Sequence, residues 1–389
     1  MAQRLKAGVI GLGLIGRQYV EQLAKHPQVD LKAVADVRAE AADQVGSAFD
    51  AAHYTDADGM LRAAALDLVV VSTPDPFHRE PVVSALRAGV PSVIVEKPMA
   101  TRVEDARAML EEAEARRSRI FVNFANRGFA MDRASHYAVS SGLLGEVVYG
   151  DSHLDDNILV PGSLWGKRTA EWVSGSSVAH FLMSHQVDLF RWLLAPREVS
   201  EVYAVDQRRV LSGTPDLYDA YLTFSGGVRI RVKAEWIRHI DSLVEFEVIL
   251  SGSEGSLSYV KRPGFGQRAG WRLNLGRPLG PSELLGHQEE LRGRGIDVRA
   301  LFRHAPALAE MGREPDGAPT PCLESLDPAP DPWHLVSCFI DAILQGSLRP
   351  SCWRHYGDLP TGVDGLRQTE VVAAVIESAG TGQPVDLPG

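Results

Sequence analysis

The sequence predicts an α/β protein in which a doubly wound parallel sheet at the N-terminus is followed by an α+β domain with a mostly antiparallel open sheet. Three observations carry this. The first 125 residues alternate between short apolar runs and segments of helical period, the pattern of a parallel sheet covered on both faces. A glycine-rich loop follows the first apolar run. After Phe124 the runs lengthen and fill with Val, Tyr, Phe and Ile.

Ala7–Ile10 is a short apolar strand, and Leu14 to Lys25 has helical spacing that closes near Pro27. Leu31–Ala35 is the second strand and Ala39–Phe49 the second helix. Leu66–Ser72 (LDLVVVS) is a continuous apolar run, as expected of a strand buried on both faces. His78–Ala88 is helical, with Gly89 placed to cap its C-terminus. Ser92–Val95 is a strand. Val103–Arg117 is a charged helix with Thr101 as expected N-cap and Glu104 three residues on, a capping-box pattern. Ile120–Phe124 ends the series, so the first domain is expected over 1–125.

Residues 145–155, 198–206, 218–225, 228–237 and 243–260 read as strands of a second domain over 126–389, with Gly226-Gly227 marking a hairpin. Residues 261–330 are rich in Gly, Pro and Arg and read as an irregular insertion. Asp331–Gln345 and Val363–Ala379 have amphipathic spacing and are expected to close the second domain over 331–389.

With 389 residues, 45% hydrophobic and 23% charged, the chain has apolar material for two cores. A net charge of −10 argues against nucleic acid or an anionic membrane as main partner, since both need a basic face. Cys322, Cys338 and Cys352 are odd in number and lack C-x-x-C spacing. They read as buried thiols in a reducing, cytoplasmic setting rather than a disulfide framework or a metal cluster. The basic start before Ala7–Ile10 breaks at once into glycines, which does not fit a signal peptide. No apolar run is long enough for a transmembrane helix.

Gly11-Leu-Gly-Leu-Ile-Gly16 follows the first strand and opens the first helix. The tight turn needs Gly11, Gly13 lets backbone approach a pyrophosphate, and Gly16 lets the helix pack close to the strand. The helix N-terminus, beginning at Leu14 and Ile15, then offers N–H groups and a positive dipole end to the anion. Asp36 ends the second strand twenty residues after Gly16, where a carboxylate can accept from the adenosine ribose hydroxyls. This constellation predicts a Rossmann dinucleotide domain. Asp36, followed by Val37, favours NAD because its charge would repel a 2′-phosphate. Arg38 could instead meet such a phosphate if Asp36 swung away, so NADP stays open; a solvated arginine is the equal alternative.

Ser92–Val95 runs straight into Glu96-Lys97-Pro98. Lys97 thus stands at the C-terminal edge of a parallel strand, where open α/β sheets bind ligands. Transfer of a hydride between an alcohol and NAD needs a partner for the hydroxyl proton, and a lysine beside the nicotinamide can serve. Pro98 would fix the backbone there, in a trans or a cis peptide. On these three residues alone, a surface lysine paired with Glu96 is an equal reading.

At this point the sequence resembles the Gfo/Idh/MocA family of oxidoreductases, named for glucose–fructose oxidoreductase and inositol 2-dehydrogenase. The resemblance rests on the Gly11–Gly16 loop, on Thr73-Pro74 with His78, and on Glu96-Lys97-Pro98. It continues through Gly142-Leu-Leu-Gly145-Glu146-Val147, His185-Gln-Val-Asp188 with Arg191-Trp192, and Glu377-Ser378-Ala379. It covers nearly the whole chain outside 261–330. The resemblance implies a Rossmann domain followed by an open-sheet domain that carries much of the substrate site and often an oligomer interface, so a homodimer or homotetramer is expected. It implies hydride transfer between NAD(P) and a hydroxyl or carbonyl carbon of a sugar, inositol or related polyol. Lys97 matches the family's catalytic lysine, and Glu96 a residue that helps hold the cofactor's ribose. Ser72, Thr73, Pro74 and His78 belong to the loop lining the cofactor cleft.

One departure stands out. Family dehydrogenases commonly carry D-x-x-x-H with both side chains in the substrate site. His185 matches the histidine and is the second expected catalytic residue, but Phe181 stands where the acid would be. His180 is adjacent, pointing about 100° away on an ideal helix. His153, Asp155 and Asp156 are further candidates for the substrate site; a polar strand end is the plainer reading of them. His185 bonded to Asp188 within an amphipathic helix would be purely structural, and Asp188 and Arg191 read as helix-stabilising. His287, His304, His334 and His355 show no metal-ligand spacing.

Two rival functions remain at this stage. One is an enzyme with tightly held NAD that oxidises transiently and returns the hydride, giving net elimination, hydrolysis or isomerisation. The other is a non-catalytic sensor of NAD(H).

Overall fold

The computed structural model describes residues 4–164, 168–261, 270–277, 279–303, 319–325 and 333–388. In chain order its elements begin β1 (Leu5–Ile10), α1 (Leu14–Lys25), β2 (Val29–Ala35), α2 (Ala39–Phe49), β3 (Ala52–Tyr54), α3 (Ala57–Ala63) and β4 (Leu68–Val71). Then come α4 (Arg79–Arg87), β5 (Ser92–Glu96), α5 (Val103–Arg116), β6 (Arg119–Asn123), α6 (Ala130–Ser140), β7 (Val147–Asn157), α7 (Leu159–Gly162) and α8 (Arg168–Gly175). A π-helical turn, Ala179–Met183, leads into α9 (Ser184–Leu193). The chain continues through β8 (Val199–Gln207), β9 (Leu217–Phe224), β10 (Arg229–Arg238), β11 (Val244–Gly252), β12 (Gly255–Lys261) and β13 (Gly270–Leu275). It ends with α10 (Pro281–Gly293), β14 (Arg299–Arg303), β15 (Thr320–Ser325), α11 (His334–Gln345), α12 (Gly362–Thr381) and β16 (Val385–Asp386).

Two compact units result. The first takes Met1–Ala125, Glu171–Ser184 and Trp333–Ala373; the second takes the rest. In the first unit six parallel strands lie in the order β3-β2-β1-β4-β5-β6. All four residues of β4 are buried, because helices cover both faces of this sheet. The apolar layer runs from Val69 and Val71 through Val93 and Val95 to Val122, each fully removed from water. Burying one such side chain contributes about 1.5–3 kcal/mol.

The second unit is built on ten strands in the order β14-β15-β13-β12-β11-β7-β10-β9-β8-β16. All its pairings are antiparallel except that of β7 with β10. β9 reads buried on alternate residues from Tyr218 to Phe224, the period of a strand with one face covered.

Several expectations need correction. The stretch 331–389 does not all close the second domain, because 333–373 falls in the first unit. There the Phe339 ring of α11 lies 4.8 Å from that of Phe121. α12 comes so close through Gly365 that a Cβ there would sit 2.7 Å from Met99 Sδ. Nor is 261–330 simply irregular: its described residues form β13, α10, β14 and β15, which widen the second sheet. Pro281 stands in the first turn of α10, where its missing N–H costs nothing. The run 243–260 is two strands, β11 and β12, joined through Ser253-Glu254. The N-cap of α5 is Arg102 without a side-chain cap, so the Thr101 capping box does not form. Gly89 does end α4 with φ +84°.

Candidate active site

The site in the first unit begins with the loop after β1. Gly11 has φ +90°, and a Cβ there would lie 2.7 Å from Thr73 N. A Cβ on Gly16 would come within 1.8 Å of Gly11 O, so only glycine fits the helix against the loop. Gly13 is different, because nothing of the protein lies within 4 Å of its Cβ position. That is the space a pyrophosphate needs against backbone. No side chain caps α1 and no acid occupies its first turn, while Leu14 and Ile15 are exposed. The helix end therefore suits an anion. These residues fit a dinucleotide.

Asp36 is buried at the end of β2 and is already engaged. Its Oδ2 accepts from Leu12 N at 2.8 Å, and its Oδ1 from Arg38 N at 2.9 Å and Arg38 Nε at 2.8 Å. Arg38 Nη2 also donates to Asp36 Oδ2 at 2.8 Å and to Leu12 O at 3.1 Å. Burial pushes the Asp36 carboxyl up, but the bonds from Arg38 and Leu12 outweigh it and hold it below the usual carboxylate range. Arg38 is thus no freely solvated arginine, and Val37 between them is 84% exposed.

On the other side of β1, Ser72 Oγ donates to Gly11 O at 2.9 Å and Thr73 Oγ1 to Phe77 O at 3.0 Å. Pro74 opens a short 3-10 turn, Asp75–Phe77. His78 is buried, with Nδ1 2.9 Å from Pro98 O and Nε2 2.8 Å from Thr73 O. Its ring ties the Thr73 and Lys97-Pro98 segments together. Asp75 was missed by the sequence reading. It is buried and accepts from Trp172 Nε1 at 2.6 Å and Ser176 Oγ at 2.5 Å.

Lys97 follows β5 directly, and its bond to Pro98 is cis. Glu96 does not pair with the Lys97 side chain by any bond seen here. Its Oε1 accepts from Tyr19 OH at 2.6 Å and Asn123 Nδ2 at 2.8 Å, and its Oε2 from Lys97 N at 3.3 Å. Tyr19 and Asn123 were not foreseen; Asn123 ends the neighbouring β6, in register with Glu96. The Lys97 ammonium instead donates to Phe181 O at 2.9 Å and lies 4.0 Å from the centroid of the Phe181 ring.

Phe181 belongs to the π-helical turn, so the ideal 100° step used for His180 does not apply. His180 has both nitrogens engaged, Nδ1 2.9 Å from Ser177 Oγ and Nε2 3.1 Å from Thr101 O. Burial lowers its pKa. Through these two contacts it braces the turn.

In the second unit His185 lies half-buried at the start of α9. Asp188 accepts from Arg127, from Nη2 at 2.6 Å and from Nε at 2.9 Å. Arg191 pairs with Glu198 at 2.7 Å. His153, Asp155 and Asp156 sit on β7, the two aspartates at its C-terminal end just before Asn157. His153 pairs with Asp151 at 2.8 Å. Asp155 is buried against Lys233 and Arg238, each 3.0 Å away; burial raises its carboxyl more than those cations lower it. Asp155 is spent on the sheet's own charges. His304 lies outside the described residues.

Comparison with known proteins agrees with this geometry. Residues 5–124 match the family model of an oxidoreductase family with an NAD-binding Rossmann fold, Gfo/Idh/MocA. Residues 133–258 match that family's C-terminal domain. An inositol 2-dehydrogenase of Rubrobacter xylanophilus is 32% identical over 205 residues, 52% of this chain and 55% of the relative. A D-glucoside 3-dehydrogenase of Escherichia coli is 29% identical over 51% of this chain and 57% of the relative. The matches span between 54% and 67% of the length of the curated relatives. Among solved structures, the WlbA dehydrogenase of Bordetella pertussis, crystallised with NADH and UDP-GlcNAcA, superposes with TM-score 0.75 at 20% identity. That match covers 100% of this chain and 99% of that one. The aldose-aldose oxidoreductase of Caulobacter crescentus gives TM-score 0.73 at 20% identity, covering 99% of this chain and 100% of that one. The fold, the glycine loop and both family models agree: this chain belongs to the Gfo/Idh/MocA oxidoreductase family, whose first domain binds NAD.

Proposed function

We propose that this protein transfers a hydride between NAD and a hydroxyl or carbonyl carbon of a small polyol, an inositol or sugar, with Lys97 as proton carrier. The observation that carries the reading is the position of Lys97 at the C-terminal end of β5, two strands from the loop after β1 in the same sheet. NAD, when bound, supplies the hydride acceptor. The chain's part is to hold the dinucleotide at Gly11–Gly16, Asp36–Arg38 and Ser72–Pro74, and to move a proton at Lys97 Nζ. Glu96, fixed by Tyr19 and Asn123, holds the Lys97 backbone and offers a carboxylate to the ribose. His185 is proposed as the second group at the substrate. Use of NADP would require Arg38 to leave Asp36. The relatives' names support inositols and glycosides as the substrate class. The working compartment is proposed as the cytoplasm, where Cys322, Cys338 and Cys352 stay as thiols.

The protein is further proposed to self-associate through the open face of the ten-stranded sheet. Tyr149, Tyr203, Tyr221 and Ile249 are 36%, 41%, 44% and 37% exposed there, large side chains for a water-facing surface.

The test is absorbance of reduced nicotinamide with NAD or NADP and a panel of inositols, aldoses, ketoses and sugar acids. A rise with one class is expected, reduced about 100- to 10,000-fold in Lys97→Met. Full turnover in Lys97→Met would remove Lys97 as proton carrier. Conversion of a polyol with no net reduced nicotinamide would favour the redox-neutral reading, and cofactor binding without any conversion the sensor.

A further inference from the structure

The position that should hold an acid holds Phe181, and Phe181 grips Lys97 twice. Its carbonyl accepts from Nζ at 2.9 Å, and its ring face lies 4.0 Å away, inside the range of a cation–π contact. The ring is itself held. Trp172 meets it edge-on at 4.8 Å and 78°, and Trp172 Nε1 is anchored on buried Asp75 at 2.6 Å. Phe181 N donates to Ser177 O at 2.9 Å, and His180 in the same turn is pinned to Ser177 and Thr101. The ring is therefore presented by a braced turn.

We propose that Phe181 is the positioning residue of Lys97, its ring and carbonyl together holding the side chain in place as an ammonium. The proposal rests on the reading of Lys97 as proton carrier and deepens it. A carbonyl and the negative face of an aromatic ring both favour the cation over the neutral amine. Glu96, His78 and Asp75, titratable groups of the same segment, have hydrogen-bond partners of their own: Tyr19 and Asn123, backbone carbonyls, and Trp172 with Ser176. Held so, Lys97 presents its acid form. In carbonyl reduction the proton leaves Nζ for the substrate oxygen while the carbon gains the hydride, and water then reprotonates the amine. Alcohol oxidation needs the amine first, so it rises with pH over a range that Phe181 sets.

The test is competitive labelling of Lys97 by trace acetic anhydride across pH, read by peptide mass spectrometry, with no substrate present. In Phe181→Leu the apparent pKa of Lys97 is expected to fall by about one unit, giving about tenfold more amine below it. Pentafluorophenylalanine introduced at 181 by codon suppression keeps the shape, reverses the ring's electrostatics and is expected to give the same fall. Phe181→Tyr should restore the parent curve. The pH profile of oxidation should move with the labelling. Titration like the parent's in both the leucine and pentafluoro proteins would overturn the proposal. If Phe181→Leu does not fold, the pentafluoro protein alone decides. A labelling shift without turnover of any polyol would leave the clamp standing and remove the dehydrogenase; an inactive Lys97→Met, together with unmoved Lys97 labelling in the two Phe181 variants, would do the reverse.

Discussion

Gly13 and Gly16 are both small residues in one loop, yet they are small for different reasons. At Gly16 a methyl group would collide with Gly11 O, so the constraint is internal to the fold. At Gly13 a methyl group meets open space, so the fold sets no such constraint there, and the one proposed is that of the dinucleotide. Gly13→Val is therefore expected to leave thermal unfolding unchanged while weakening NADH binding at least about tenfold, measured by fluorescence titration. Unchanged affinity would remove the loop from the cofactor site. The glycines were readable in the sequence because what they supply is backbone space at fixed spacing. The role of Phe181 was not. It depends on a π-helical turn that carries residue 181 to Lys97 across 84 positions of sequence, and on a carbonyl, which no side-chain pattern announces. The Asp36–Arg38 pair lies between these cases: both residues were singled out, but their mutual capture appears only in coordinates.

Helices α6 and α9 meet through a stacked histidine and tryptophan, of which the histidine titrates. The His136 ring stacks on Trp192 at 4.5 Å and 22°. Burial, then the charges of Arg127 and Arg294, pulls its pKa down from 6.5 to about 4. The folded protein thus holds His136 neutral while the unfolded chain protonates it near its ordinary value. Its contribution is whole above pH 6.5 and is lost as pH falls toward 4, because the unfolded state takes the proton first. At pH 4.5 the loss is on the order of 2–3 kcal/mol. Urea unfolding at pH 7 and pH 4.5 should show a smaller acid loss in His136→Phe than in the parent. Equal losses would place the acid sensitivity elsewhere. Element α6 itself was not foreseen, and neither were β3 and α3. β3 has three residues and α3 seven, too short for a period to show. The strands of 270–325 were hidden by counting proline and glycine as breakers, although Pro281 begins a helix and Pro321 lies within β15.

At the scale of the molecule, the sequence rhythm did reveal two kinds of sheet, because alternation with helices and alternation with hairpins leave different periods. It did not reveal which lengths of chain join which unit, since that is decided by packing between distant segments. The open sheet face carries the prediction at this scale. Sedimentation at micromolar concentration is expected to give a dimer or tetramer, and Tyr221→Glu with Tyr203→Glu to shift it toward monomer. A parent that sediments as a monomer would end that reading.

The first unit is composed of three separate lengths of chain, and the Lys97–Phe181 contact joins two of them. A gene cut after codon 125 would keep the lysine and discard its clamp, along with α11 and the start of α12 that cover β6. Recombination between relatives at that point would likewise pair a lysine from one parent with residue 181 from the other. The two positions are therefore inherited as one trait only when the whole chain is, and exchanging the chain beyond residue 125 in this scaffold means exchanging the surroundings of Lys97, the proposed proton carrier, as well.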